Sequence, residues 1–579
     1  MYSQRPLTAT QPDGDGSKPL RKSTQGLGRR DSGILGHGIV AFANLIPKLR
    51  VKNIRTICGL FLVAGFCAPA LAEQESAQQE LLQQRWQSLE TTHFRILSQL
   101  SPRRTAAVAA DLESWRQALG RLLTEGGELP KAAVPNLVYL FDNHADFAHF
   151  TLQDNAGFQL PTPRANYLAM SLGEDMGRQQ GLHHYAHFLI RNFIDLRMPR
   201  WYEEGLASHY SRGEVDGGSL RLPAHPPAAN ARMAELSEEL AMERLLYEDA
   251  ALASPRLIQI ANLKSEALLV YLRHGHEEGF SDHREALAEY FQHLLAGRNP
   301  RFAFDQSFGM RPEQLDAELG EYLRTSRARE WSLPVAKADG RSDFEPVAAD
   351  PDRLALRLGE LALNAGRFEV AERFFRGLTG RDTAIARAWS GLGDSLRFQD
   401  TAGDAGAGVE TGARESDRQI AAYYDHALAL EPDNPDILLD FGEYWEYELE
   451  DCDNEWAPAR FAERLAAARQ AFERVIAVHP DNPEANLAIG EIHLFPGQDW
   501  RDGADHARRA FELLPADTFI MEQAVKYAIE AEEFDRAEQL IAELAQPLHY
   551  WGEPDWVSDL RLRLLAKRRG EVYDQCASE

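Results

Sequence analysis

The residues of this 579-residue chain best placed to do chemistry lie between Gly181 and Tyr210, in GLHHYAHFLIRNFIDLRMPRWYEEGLASHY. His183 and His187 stand four apart, so on a helix they share one face and can aim two imidazole nitrogens at one point. Pro199 opens a second expected helix, which carries Glu203 and Glu204. A carboxylate from that helix can close a metal site with three protein ligands and leave a fourth position open. His184 follows the first histidine, where metal-assisted hydrolysis needs a carboxylate to take a proton from the attacking water. An imidazole there brings no negative charge.

Eighteen histidines make an i, i+4 pair unremarkable by itself, so the second half of the stretch decides the reading. Pro199-Arg200-Trp201-Tyr202-Glu203-Glu204-Gly205-Leu206-Ala207 resembles the Pro-x-Trp-x-x-Glu-Gly-x-Ala segment that follows the histidine helix in gluzincin-type, peptidase-MA-like families. THFRI, LVYLF, SEALLVYLRHG and AFDQSFG extend the resemblance over about residues 84–327, to exported domains fused to tetratricopeptide repeats. The resemblance implies a zincin-like fold, zinc held by His183, His187 and Glu204, and peptide hydrolysis.

The chain departs from that pattern at His184. Three outcomes follow: activity is lost, His184 itself serves as a weak base, or His184 becomes a fourth ligand in a closed site. Adjacent positions on a helix make joint ligation by His183 and His184 strained, which ranks the third last. Glu203 reads as a solvated neighbour that becomes the ligand only if the register slips. Tyr185 and Phe188 read as packing residues, and His144, His149 and His209 as ordinary polar ones.

The elements that must position these groups are legible by period. Glu73 to Leu89 reads as helix, Thr92 to Ser98 as strand, and Ser101-Pro102 opens an amphipathic helix to about Leu123. Val134 to Phe141 and Ala165 to Leu172 read as strands, with a short helix from Asp146 to Leu152 between them. This order predicts a small mixed sheet flanked by helices. Beyond Tyr210 the expected elements are helices, over Ala234 to Ala250, Ser265 to Arg273, His283 to Ala296 and Pro312 to Arg327. Ser332 to Asp352 reads as a linker.

From Arg353 a pattern recurs. Leu358-Gly359, Leu392-Gly393, Phe441-Gly442 and Ile489-Gly490 sit in first helices, Ala371, Ala468 and Ala537 in second ones, and Pro432, Pro480 and Pro515 end units. Trp389-x-x-Leu392-Gly393 resembles the opening of a tetratricopeptide repeat, and about five units are expected over 353–545. Insertions at Asp400 to Ser416 and Glu448 to Ala457 interrupt them. Residues 546–579 read as a capping helix and tail.

At the other end, Arg50, Lys52 and Arg55, an apolar run from Ile57 to Phe66, and Ala70-Leu71-Ala72 form the three parts of a secretory signal, with cleavage after Ala72. Residues 51–72 are that signal. Residues 1–50 read as disordered or as a gene-model extension, with translation starting near Val51. The expected destination is the periplasm or the exterior, with no stable membrane span after cleavage. Cys452 and Cys576 are then the cysteines left, and one disulfide between them is open. A formal net charge of −27 argues against nucleic acid as a partner.

The expected fold class is an α+β zincin-like N-terminal domain over 73–331, a linker over 332–352, and an all-α tetratricopeptide-repeat solenoid. The expected function is an exported metallopeptidase-like protein, weak or inactive because His184 replaces the catalytic Glu, with a repeat scaffold for a protein or peptide partner. The alternative is an active zinc-dependent peptidase with an atypical base.

Overall fold

A computed structural model describes residues 78–573, apart from 125–126, 153–154, 174–175, 195, 217, 224, 226, 248–253, 328, 336–343, 382–384, 405–412, 451–455 and 546–554. The segment expected as an export signal, Cys452 and Cys576 lie outside the described residues. Among the described residues no helix is long and apolar enough to cross a membrane.

Strands β2 (Phe94–Ser98), β3 (Asn136–Phe141) and β5 (Asn166–Ser171) run parallel, with Ile96 opposite Val138 and Val138 opposite Leu168. Parallel neighbours need a crossover, and α1 (Pro102–Leu123) supplies the one between β2 and β3. Ser101 caps α1 by accepting from the Arg104 amide, and Pro102 fills its first turn. The edges are antiparallel: β4 (Gly157–Pro161) on β5, β1 (Gln87–Glu90) on β2, and β9 (Val347–Ala348) on β1. The order of this six-stranded mixed sheet is β4-β5-β3-β2-β1-β9.

All of β3, NLVYLF, is buried, because helices cover both faces of the sheet. On one face Val138, Leu140, Leu168 and Met170 pack with Trp115 of α1 and with Tyr185 and Leu189 of α3 (Gly177–Phe193). On the other, Leu137, Tyr139, Phe141 and Tyr167 pack with Leu354 and Leu358 of α11 (Pro351–Asn364) and with Phe374 and Phe375 of α12 (Phe368–Thr379). The Tyr139 hydroxyl donates to the Arg357 carbonyl at 3.1 Å. The first helix pair of the C-terminal region therefore shares a core with the sheet. Each ring so buried contributes on the order of 2 kcal/mol.

After α3 come α4 (Arg200–Ser211) and the hairpin β6 (Glu214–Asp216) and β7 (Ser219–Leu222), which β8 (Trp331–Pro334) extends to a three-stranded sheet. Helices α5 (Pro227–Ser237), α6 (Met242–Tyr247), α7 (Pro255–His274), α8 (Arg284–Leu295), α9 (Pro300–Phe308) and α10 (Pro312–Thr325) lie between β7 and β8. Before α3, α2 (His144–Phe147) is a single turn after β3.

Several expectations are corrected here. The helix expected to Leu89 stops earlier, because QSLE pairs with β2 as β1. Strands exist beyond Tyr210, and the expected linker holds β8 and β9. These strands are short, polar or Pro-bounded, so only pairing partners distant in sequence reveal them. Strand β4 escapes the sequence pattern for the same reason.

Beyond α12 the described helices form consecutive antiparallel pairs: α13 (Ala386–Asp404) with α14 (Ala413–Leu430), α15 (Pro435–Glu450) with α16 (Pro458–Val478), α17 (Pro483–Ile492) with α18 (Trp500–Leu513), and α19 (Thr518–Glu530) with α20 (Phe534–Leu544). First helices of successive pairs also pack on one another. The small residues sit at the crossings: a Cβ on Gly359 would come within 2.7 Å of Phe375, and one on Gly393 within 3.0 Å of Tyr424. Ala371, Ala468 and Ala537 are fully buried. The C-terminal region is thus a helical repeat array, followed by α21 (Asp555–Arg568).

Candidate metal centre

The site is built where α3 and α4 cross beneath the sheet. Gly181 brings α3 close to β5, since a Cβ there would stand 2.5 Å from Met170 Cγ. Gly205, the residue after Glu204, does the same for α4 against α7: its Cβ would meet the Ser265 carbonyl oxygen at 2.6 Å. Trp201 and Tyr202 are buried beside it. The Trp-x-x-Glu-Gly spacing therefore seats α4 so that Glu204 points inward.

His183, His187 and Glu204 converge. His183 Nε2 lies 3.2 Å from His187 Nε2, and Glu204 Oε2 lies 3.5 Å from the first and 3.8 Å from the second. A tetrahedral centre with ligand bonds of about 2.05 Å needs donor atoms about 3.3 Å apart. The three atoms form three corners of such a site, and their chemistry, two imidazoles and a carboxylate, suits a divalent cation.

The charge environment is set by burial. Glu204 is fully buried, and burial pushes its carboxyl up. Burial, with the neighbouring His187 and His184, holds His183 well below the usual histidine range. His184 is held down at about 4 by burial and then by His187, so its imidazole is neutral at ordinary pH. The rings of His183 and His184 stand edge to face, 5.5 Å apart.

Glu203, expected in solvent, is instead buried, which corrects that reading. It is only 1 % exposed, its Oε1 lying 2.9 Å from His187 Nδ1 and 2.6 Å from Arg191 Nε. Burial raises its carboxyl, but the Arg191 charge and the His187 hydrogen bond outweigh that and hold it ionised. A carboxylate accepts only, so His187 Nδ1 must be the donor in this bond, which turns Nε2 towards Glu204 and His183. The Ala207 backbone is hydrogen-bonded to His183.

His209, expected as an ordinary polar residue, is buried, with Nδ1 3.7 Å from Glu266 Oε1. Glu266 Oε1 also takes His225 Nε2 and Arg212 Nη1, each at 2.9 Å. Burial raises the Glu266 carboxyl, but these bonds prevail and hold it well below the usual range. No local spacing links residues 209, 212, 225 and 266, so only the packing of α4 on α7 reveals the cluster. Tyr185 and Phe188 are buried packing residues, as their places on the apolar face of α3 imply.

No family model and no curated protein matches the chain. Among solved structures, a thermophilic TPR protein of Thermus thermophilus is similar at 17% identity, over 38% of this chain and 99% of its own, with a TM-score of 0.28. The class defined by the fold is a mixed-sheet unit joined to a helical repeat array.

Proposed function

We propose that this chain is an exported, zincin-like zinc protein whose tetratricopeptide array serves as a protein-binding scaffold and whose peptidase activity is weak or lost. The observation that carries the reading is the near-tetrahedral spacing of His183 Nε2, His187 Nε2 and Glu204 Oε2. Bound zinc would supply Lewis acidity towards a carbonyl oxygen and lower the pKa of water. Glu203 and Arg191 orient His187, and Gly205 lets α4 bring Glu204 into range. His184 stands where a carboxylate would take the proton, and a neutral imidazole supplies acceptor capacity without negative charge. The recurring Gly, Ala and Pro positions support the repeat assignment, and the basic, apolar and small-residue pattern before Glu73 supports export to the periplasm or exterior.

The test is the zinc content of the purified chain. About one zinc per chain, lost in His187→Ala with the fold retained, supports the site. A wild-type chain that takes up no zinc at micromolar concentration removes it.

A further inference from the structure

Strands β1 and β2 turn Leu89, Phe94 and Ile96 into the core and the alternate residues to the opposite face. There Ser88 stands across from Leu97 and Glu90 from Arg95. Further along the sheet that face is closed by the core shared with α11 and α12. Over β1 and β2 a cleft of about 100 Å3 remains, facing Arg353, Leu354 and Arg357 of α11. Its floor is apolar: Leu97, Leu137, Tyr139 and Leu354.

The charged groups at its rim are not equivalent. Asp350 accepts from the Arg353 amide at 2.8 Å as the cap of α11, so that carboxylate is engaged by backbone. Arg357 is held by Glu360 at 2.6 Å. Arg95 meets Glu90 at 3.2 Å, but both side chains are more than half exposed, and such a pair contributes little. The Arg353 guanidinium has no carboxylate partner among the described residues. Two guanidinium groups are therefore open to an anion above an apolar floor, in a chain with 89 acidic and 62 basic residues.

The room available limits the ligand. An engineered apolar cavity of roughly 150 Å3 takes a benzene ring. This cleft is smaller and suits a chain of about four or five carbons. A planar carboxylate matches a guanidinium with two parallel bonds.

We propose that this cleft binds a short aliphatic carboxylate, its chain against Leu97, Leu137 and Leu354 and its oxygens on Arg353 and Arg95. A free short-chain acid and the C-terminal residue of a peptide share this chemistry. Arg95 belongs to the sheet and Arg353 to the first helix pair of the array, so the ligand ties the two units together. The site is independent of zinc at His183 and of any partner on the array.

The probes are pentanoate and acetyl-leucine, with acetate as the acid lacking a chain and pentanol as the chain lacking a charge. In calorimetric titration of the full chain both acids should bind, with acetate and pentanol at least tenfold weaker. Tighter binding of acetyl-leucine identifies a peptide terminus as the source, and tighter binding of pentanoate a free acid. Arg353→Ala, at an exposed position, should weaken binding about tenfold without moving the unfolding midpoint of the unliganded chain. No binding of either acid at millimolar concentration overturns the proposal, as does equal affinity for pentanol or in Arg353→Ala. Zinc also attracts carboxylates, so the titration is repeated on His187→Ala. Unchanged affinity there supports the cleft. Lost affinity assigns the acid to the metal centre and overturns the cleft while leaving the zinc reading intact. Saturating pentanoate should also slow amide exchange in residues 87–98 and 350–358, and protection confined to other segments overturns the location.

Discussion

His187 Nδ1 lies 2.9 Å from Glu203 Oε1, and Arg191 grips the same oxygen. A buried carboxylate thus fixes the tautomer of a ligand-type histidine one turn from a cation. Such outer partners are typically worth about ten- to a hundredfold in metal affinity. Glu203→Gln should weaken zinc binding about tenfold, and Glu203→Ala more, measured by titration against a competing chelator. Unchanged affinity in both variants would show that His187 is oriented by its packing alone.

The second prediction concerns the proton acceptor. His184→Glu restores a carboxylate beside the ligand pair and should raise hydrolysis of an unstructured protein substrate by about a hundredfold or more, the usual scale of general-base catalysis. The comparison is made at equal zinc loading. Zinc-loaded wild type and variant that are both inactive would leave the scaffold as the sole role.

Close approach of β4 to α3 gives a third. Gly157 sits where a Cβ would press into the Gly177 carbonyl and come within 2.9 Å of the Gly181 amide nitrogen. Backbone cannot swing aside as a side chain can. Gly157→Ala should cost about 1–3 kcal/mol of stability, read from denaturant unfolding, and should weaken zinc binding because α3 must shift. A variant as stable as wild type would mean that β4 is free to move.

The fourth is a pH dependence in the repeat array. Burial and then the charge of Asp440 push the Asp394 carboxyl from an ordinary value of 3.8 up to about 6. A raised value in the fold means that the protonated form stabilises it. That contribution is complete below about pH 4 and is lost as pH rises through about 6. Asp394→Asn stays neutral and keeps an oxygen that can accept the Tyr424 hydroxyl, now 2.6 Å from Asp394 Oδ1. The stability of the variant relative to wild type should therefore grow by about 2 kcal/mol between pH 4 and pH 7.5. Parallel stability curves would place the Asp394 charge elsewhere in the balance.

Long, periodic elements are legible in the sequence. Pro102–Leu123 reads correctly to its ends, because Ser101, Pro102 and the apolar stripe all act within one helix. β3 and β5 announce themselves as continuous apolar runs. β1, β4 and β6 to β9 do not, since a short strand is defined by its partner. Near residue 353 the sequence pattern changes, inside a helix that begins at Pro351. Sequence does not show that Leu354 and Phe374 complete the core on the far face of the sheet.

The same division runs through the site. The sequence alone determined that His183 and His187 share a helix face, by their spacing, while Glu204 was implied by the resemblance of its Trp-x-x-Glu-Gly segment, and the close crossing at Gly205 that turns it inward belongs to the fold. The sequence also determined the substitution at His184, a matter of residue type at one position. Tertiary structure alone decided that Glu203 is buried against Arg191, that Glu266 gathers His209, His225 and Arg212, and that Arg164 docks on Asp440 and Glu484. Those contacts join residues from 12 to 320 positions apart, and local pattern records only what near neighbours along the chain do to one another.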